Sequence, residues 1–232
     1  MVPSPAAPTG AEPSQRTQTM STTIAGIKIP DSRLAREATD LVRDTETDLL
    51  FHHSRRVFLF GALSGDRKGL FYDPELLYIG ARFHDMGLVK PYSSDSERFE
   101  VDGANAAGDF LRRHGIAEAS IELVWDAIAL HTTPGIPQHK KAEVALVTAG
   151  VEMDVLGLGF PNVSDAHRAD VVAAHPRGGQ FKQDIVEAFY QGIKHKPHTT
   201  FGNVKADVLE LKDPHFHRGN FCHVIRDSAW PS

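Results

Sequence analysis

Apolar residues recur along this chain at intervals of three and four, with few alternating runs and no internal repeat, a pattern that predicts helices rather than strands. Asp31 can cap a first helix. Thr47 can cap a second, "LLFHHSRRVFLFGALSG", which carries Leu50, Val57, Phe60 and Leu63 on its apolar side. Asp73-Pro74 is a start signal for a third, and Gly87 its stop. Asp102 is expected to open a fourth that runs to Gly115. "SIELVWDAIALH" gathers Ile121, Val124, Trp125 and Ile128, and "KKAEVALVTAGVEMDVLG" continues as one helix to Gly157. Further helices fit 164–174, 181–193 and 204–211, so the fold class is all-α.

Residues 1–23 are rich in Pro, Ser, Thr and Ala, cannot repay the entropy of ordering, and are expected to form a flexible tail; 24–232 are expected to form one domain. An apolar share of 41% in 232 residues is enough for a sizeable core. The net charge of −5 and the scattered basic residues give no electrostatic ground for a nucleic-acid partner. Neither a span-length apolar run nor a secretory leader is evident, and the single Cys222 cannot form an internal disulfide. A cytoplasmic protein with a small-molecule substrate and no membrane partner is expected.

Thirteen histidines are the unusual count. His53 lies three after Leu50 and four before Val57, His84 lies seven after Leu77, and Asp154 lies seven after Val147. All three therefore point inward. Singly, each reads as an ordinary satisfied core residue. Together, with Asp85 beside His84, they are reconciled by a shared cation, because a buried carboxylate without a partner costs several kcal/mol. Neighbours on a helix diverge by about 100°, so His84 and Asp85 can meet one ion only if the helix ends just before Gly87. Two imidazoles and two carboxylates suit zinc, iron(II) or manganese(II).

The ordered set His53, His84-Asp85 and Asp154 resembles the H…HD…D ligand pattern of the HD-domain superfamily, helical metal-dependent enzymes that are mostly phosphohydrolases. "HHSRRVFLFG", "ELLYIGARFHDMG", "RFEVDGANAA", "AIALHTTPG" and "KPHTTFGNV" are similar to stretches of its cyanamide hydratase branch, in which zinc serves the addition of water to cyanamide to give urea. The resemblance implies one HD-type helical domain and a hydro-lyase. It implies His53, His84, Asp85 and Asp154 as metal ligands, with zinc as the ion and iron or manganese as alternatives.

Within that frame Asp85 is expected to hold or accept a proton while ligating, and His131, at its helix end, to serve nearby as a donor or acid. Glu100 and Asp102 are expected to bind the polar end of the substrate. The alternative is a phosphohydrolase acting on a nucleotide or phosphorylated metabolite, which needs basic groups; Arg55, Arg56, Arg82 and Lys90 are nearest in sequence. Arg82, two before His84, is expected to project away from that ligand. A scaffold with a structural metal, and a two-iron oxygenase using His114 and His131, are further readings. His52 is expected to face solvent, and Arg55 and Arg56 either pair on the surface or bind an anion. "DPHFHRGNFCH" near the C-terminus fits loop packing or a contact in a homo-oligomer better than a second metal site.

Overall fold

The computed structural model describes residues 22–200 and 204–231. Among them are ten α-helices: α1 (Arg33–Thr45), α2 (Asp48–Lys68), α3 (Pro74–Phe83), α4 (Phe99–Arg113), α5 (Glu118–Ala129), α6 (Ala142–Val151), α7 (Asp165–Ala174), α8 (Phe181–Ile193), α9 (Val204–Lys212) and α10 (Phe221–Arg226). The all-α reading holds. One short hairpin, β1 (Thr23–Ile24) with β2 (Ile27–Lys28), pairs Thr23 with Lys28 and Ile24 with Ile27. Of the segment read as a tail, 1–21 lie outside the described residues, whereas Thr22 and Thr23 already belong to this hairpin, the Ile29 N–H donating to Thr22 O at 2.9 Å.

The caps explain most boundaries. The Thr47 hydroxyl accepts from Leu50 N at 3.4 Å, Asp73 Oδ1 from Glu75 N at 2.8 Å, and the Ser164 hydroxyl from His167 N at 3.2 Å. Two expectations shift. Ser32, not Asp31, caps α1, and α4 starts at Phe99, so Asp102 sits within its first turn instead of opening it. The helix expected to run to Gly157 ends at Val151 and passes into a π-helical turn, Glu152–Leu156, which Gly157 closes at φ 69°. Such wide turns break the regular spacing of inward positions and recur at functional sites. α10 has only six residues and no sustained stripe, which is why periodicity does not find it.

The core is built on α2, which packs against α3 and α6, with α4 on α5 and both α5 and α6 on α3. Val57, Phe58, Leu59, Leu77, Ile79, Ile128, Leu146 and Val147 are buried within it. Two glycines permit contacts that a side chain would forbid. A Cβ on Gly150 would stand 2.1 Å from Val57 O, so α6 touches α2 backbone to backbone beside His53. A Cβ on Gly87 would stand 1.9 Å from Phe99 O, which seats the start of α4 directly on the His84-Asp85 turn. Among the described residues, no helix is long and apolar enough to cross a membrane.

Candidate metal centre

Three inward groups converge where α2 meets the end of α3. One ligand atom from each of His53, His84 and Asp85 lies within 4.8 Å of the others, and all three residues are buried. Adjacent residues share the centre because α3 stops at Phe83. His84 keeps helical angles, whereas Asp85 takes φ −103° and ψ 2° and opens the turn Met86–Leu88. Leaving the helix swings the carboxylate back onto the histidine side.

Hydrogen bonds fix which nitrogen each imidazole offers. His53 Nδ1 donates to Asp154 Oδ2 at 2.7 Å, His84 Nδ1 to Ala81 O at 2.8 Å, and His131 Nδ1 to Ile128 O at 2.6 Å. Each acceptor can only accept, so the proton belongs on Nδ1 and the Nε2 lone pair is free. All three Nε2 atoms turn toward Asp85. The separations are 3.1 Å from His84 Nε2 and 3.6 Å from His53 Nε2 to Oδ2, and 3.8 Å from His131 Nε2 to Oδ1. His53 and His84 bring their Nε2 atoms to 3.1 Å.

Lone pairs facing each other at that distance repel unless positive charge lies between them. Cis ligands at about 2.0–2.1 Å from an ion stand roughly 2.9–3.4 Å apart, which matches these spacings. Both oxygens of Asp85 and Nε2 of His131 are buried without a hydrogen-bond partner. That is the condition of groups shaped for a cation and its water. The donor set therefore fits a divalent metal: two imidazoles and one carboxylate, with His131 alongside. The electrostatics agree. Burial disfavours ionising either partner, yet Asp85 raises His84, and His84, His53 and His131 hold Asp85 far below the usual carboxylate range. His131, where burial and the neighbouring His84 act together, is pushed down to about 4 and stays neutral.

Asp154, expected as the fourth ligand, is placed differently. Its Oδ1 accepts from Arg56 Nε at 2.8 Å and Arg177 Nη1 at 2.5 Å, and its Oδ2 from His53 Nδ1 at 2.7 Å and Arg56 Nη2 at 3.0 Å. A carboxylate has about four lone-pair positions, and all four are taken. Asp154 therefore stands behind His53 and orients it. Burial alone would raise Asp154, but Arg56 and Arg177 hold it far below the ordinary range and keep it charged. The Arg177 guanidinium lies over the Phe181 ring at 3.9 Å and the Trp230 ring at 4.4 Å, so the C-terminal segment helps to hold the clamp. Inward spacing located Asp154, but only the π-helical turn and the two arginines decide what its oxygens meet.

The remaining expectations divide. Glu100 lines a cleft that reaches His131; Arg98 Nη2 donates to its Oε1 at 2.7 Å and the Thr132 hydroxyl donates to the same oxygen. Asp102 does not line this cleft. Two residues on from Glu100 it points about 200° around α4, where Oδ2 accepts from Ser94 N at 2.9 Å and from the buried Lys196 Nζ at 2.6 Å. That places it in an ion pair with Lys196, turned from the cleft. Arg56 is buried on Asp154 instead of lying on the surface. Arg82 turns away from the centre as expected, but is fully buried and donates to Phe51 O at 3.1 Å and to the Ser54 hydroxyl. His114 Nε2 lies 2.7 Å from Glu37 Oε2, within hydrogen-bond distance.

His52, expected in solvent, is half-buried with its ring 5.7 Å from that of His175. Sequence reasoning passed over His175, Arg177 and Glu46, none of which falls on a clear stripe. Burial pushes Glu46 up to about 8 against the pull of Arg82. His175 accepts from Arg55 Nε at 3.3 Å. Burial, then the charges of Arg55, His52, Arg56 and Arg82, push it down to about 3. The unfolded imidazole binds its proton near pH 6.5, well before the folded one, so this part of the stability is complete above about pH 6.5 and is lost as pH falls toward 3. His175→Gln is expected to shrink the difference in urea midpoint between pH 7 and pH 4.5; an unchanged difference would show that His175 does not carry it.

Residues 50–154 match the family described as HD domain. The match includes His53, His84, Asp85 and Asp154. No curated protein matches the chain at a significant level. The match and the buried His/His/Asp cluster together support a metal-dependent enzyme of the hydrolase type.

Proposed function

We propose that this chain is a metal-dependent hydro-lyase that adds water to a small, neutral, nitrile-type substrate, with cyanamide to urea as the reaction to test first. Zinc is the proposed ion, with iron and manganese as alternatives, and His53, His84 and Asp85 are the proposed ligands. The observation that carries a neutral substrate is the charge of the cleft. Its lining includes Arg98, Glu100 and Glu152, and the one cation among them is already paired with Glu100. None of the basic residues nearest the motif in sequence lines this cleft: Arg55 donates to His175 and Tyr78, Arg56 to Asp154, Arg82 to Phe51 O, and Lys90 to Ser93 O.

When bound, the metal lowers the pKa of water toward neutrality and polarises the electrophile. The chain's own groups do the rest. His131, neutral and with Nε2 unpartnered, takes a proton from the attacking water and returns it to the substrate nitrogen. Asp85 holds the imidazolium so formed, its Oδ1 lying 3.8 Å from His131 Nε2. Glu100, at the cleft wall, accepts from a substrate N–H, and its fixing by Arg98 and Thr132 keeps it ionised. Asp154 holds the His53 ring in place from behind.

The test is incubation of the metal-loaded protein with cyanamide beside a panel of nucleotides and phosphorylated metabolites. Urea is the expected product. Phosphate release without urea would favour the phosphohydrolase reading. His131→Gln is expected to lower kcat for urea formation by about 10²–10⁴-fold with metal content unchanged.

A further inference from the structure

The cleft is far larger than a three-heavy-atom substrate needs, and most of its wall is apolar. Its volume of about 500 Å³ is in the range of pockets that bury whole organic molecules. It would hold on the order of fifteen waters against apolar surface. Its inner end is His131, Glu100 and Thr132; its outer walls come from the π-helical turn with Val155 and Leu156, from α8 with Phe189 and Ile193, and from α10 with Phe221.

The aromatic rings form a continuous wall outward from the centre. Centroid distances are 5.0 Å from His84 to His131, 5.6 Å from His131 to Phe99, 5.4 Å from Phe99 to Phe189 and 5.8 Å from Phe189 to Phe221. Phe99 is buried, whereas Phe221 is 46% exposed, so the row leads from the proposed catalytic end to solvent. A wall of this kind gives no hydrogen bonds along its length. It recognises apolar surface.

We infer that the substrate carries an alkyl or aryl arm, R–C≡N, with the nitrile at His131 and the arm lying along Phe99, Phe189 and Phe221. This rests on the proposed reading that the reaction occurs at the His53, His84 and Asp85 centre. Hydration balances without any further reactant: one carbon–oxygen bond forms, the triple bond loses its two π bonds as C=O replaces it, and both water protons end on nitrogen to give R–CO–NH₂. Glu100 and Glu152 at the cleft repel an anionic arm, and among the described residues no unpaired cation lines it.

The experiment titrates acetonitrile, butyronitrile, hexanenitrile and benzonitrile into the Zn²⁺-loaded protein by calorimetry, with hexyl phosphate as the anionic comparison. Affinity is expected to rise about two- to fourfold per added methylene, with benzonitrile well above acetonitrile. Leu156→Trp, which narrows the cleft from a half-buried position, is expected to cut hexanenitrile and benzonitrile binding at least tenfold while acetonitrile changes little; circular dichroism and Tm establish that the variant is folded. A flat or falling series in the wild-type protein overturns the inference, and so does tighter binding of hexyl phosphate than of hexanenitrile. Binding is read without turnover, so the two claims fail separately. A rising series with no hydration of any nitrile sinks the activity and leaves the arm; urea from cyanamide with a flat series does the reverse.

Discussion

Asp85→Asn is expected to abolish metal binding while leaving the helices in place. Asp85 is the carboxylate of the clustered His53, His84 and Asp85, and both of its oxygens are buried and unpartnered. An amide there offers one neutral oxygen and a nitrogen that cannot ligate, so affinity should fall by more than the roughly 10–100-fold that loss of an outer partner costs. In the wild-type protein, one metal per chain at about 100 times Kd should contribute about 2.7 kcal/mol. That corresponds to a Tm increase of roughly 5–11 °C for a chain of this size. The variant should show no increase and no urea formation. A metal-dependent rise in Tm equal to that of the wild type would mean that the ion sits somewhere else.

Asp154→Ala is expected to have the largest effect on stability. The carboxylate lies between two buried guanidiniums and His53, and its removal leaves both arginines with unopposed charge in the core. Breaking a buried ion pair from one side costs about 3–5 kcal/mol, or roughly 6–20 °C of Tm. His53 keeps its place on α2 but loses the acceptor that orients it, so metal affinity should weaken by about 10–100-fold and recover when metal is added in excess. Two results would be decisive against this arrangement. A wild-type Tm would remove the clamp, and failure to bind metal at any concentration would restore Asp154 as a ligand.

The opposite treatment of these two aspartates shows how far periodicity reaches. Spacing against Leu50, Leu77 and Val147 was sufficient to turn His53, His84 and Asp154 toward the interior, and the structure buries all three. Whether an inward carboxylate meets a metal or an arginine depends on what arrives from the other side. Arg177 comes from an irregular segment after α7, 23 positions away and with no stripe to mark its direction. Asp102 is turned from the cleft for a related reason. It and Glu100 share the first turn of α4, but a separation of two residues sends them to opposite sides, one to the cleft and one to Lys196. The cleft itself was invisible, because its wall is assembled from the start of α4, the segment after α5, the π-helical turn, α8 and α10, which are distant along the chain.

Local signals by themselves determined the helical class, the caps at Thr47 and Asp73, the bounds of α8, and the inward face of His53 and His84. These follow from hydrogen bonds within a turn and from a period of 3.6, both of which are written in neighbouring residues. Tertiary structure alone decided which nitrogen each imidazole presents, that Asp154 supports His53 instead of standing beside it, and that an aromatic corridor opens onto His131. A side chain's direction is local, but the identity of what it meets is a property of the packed whole.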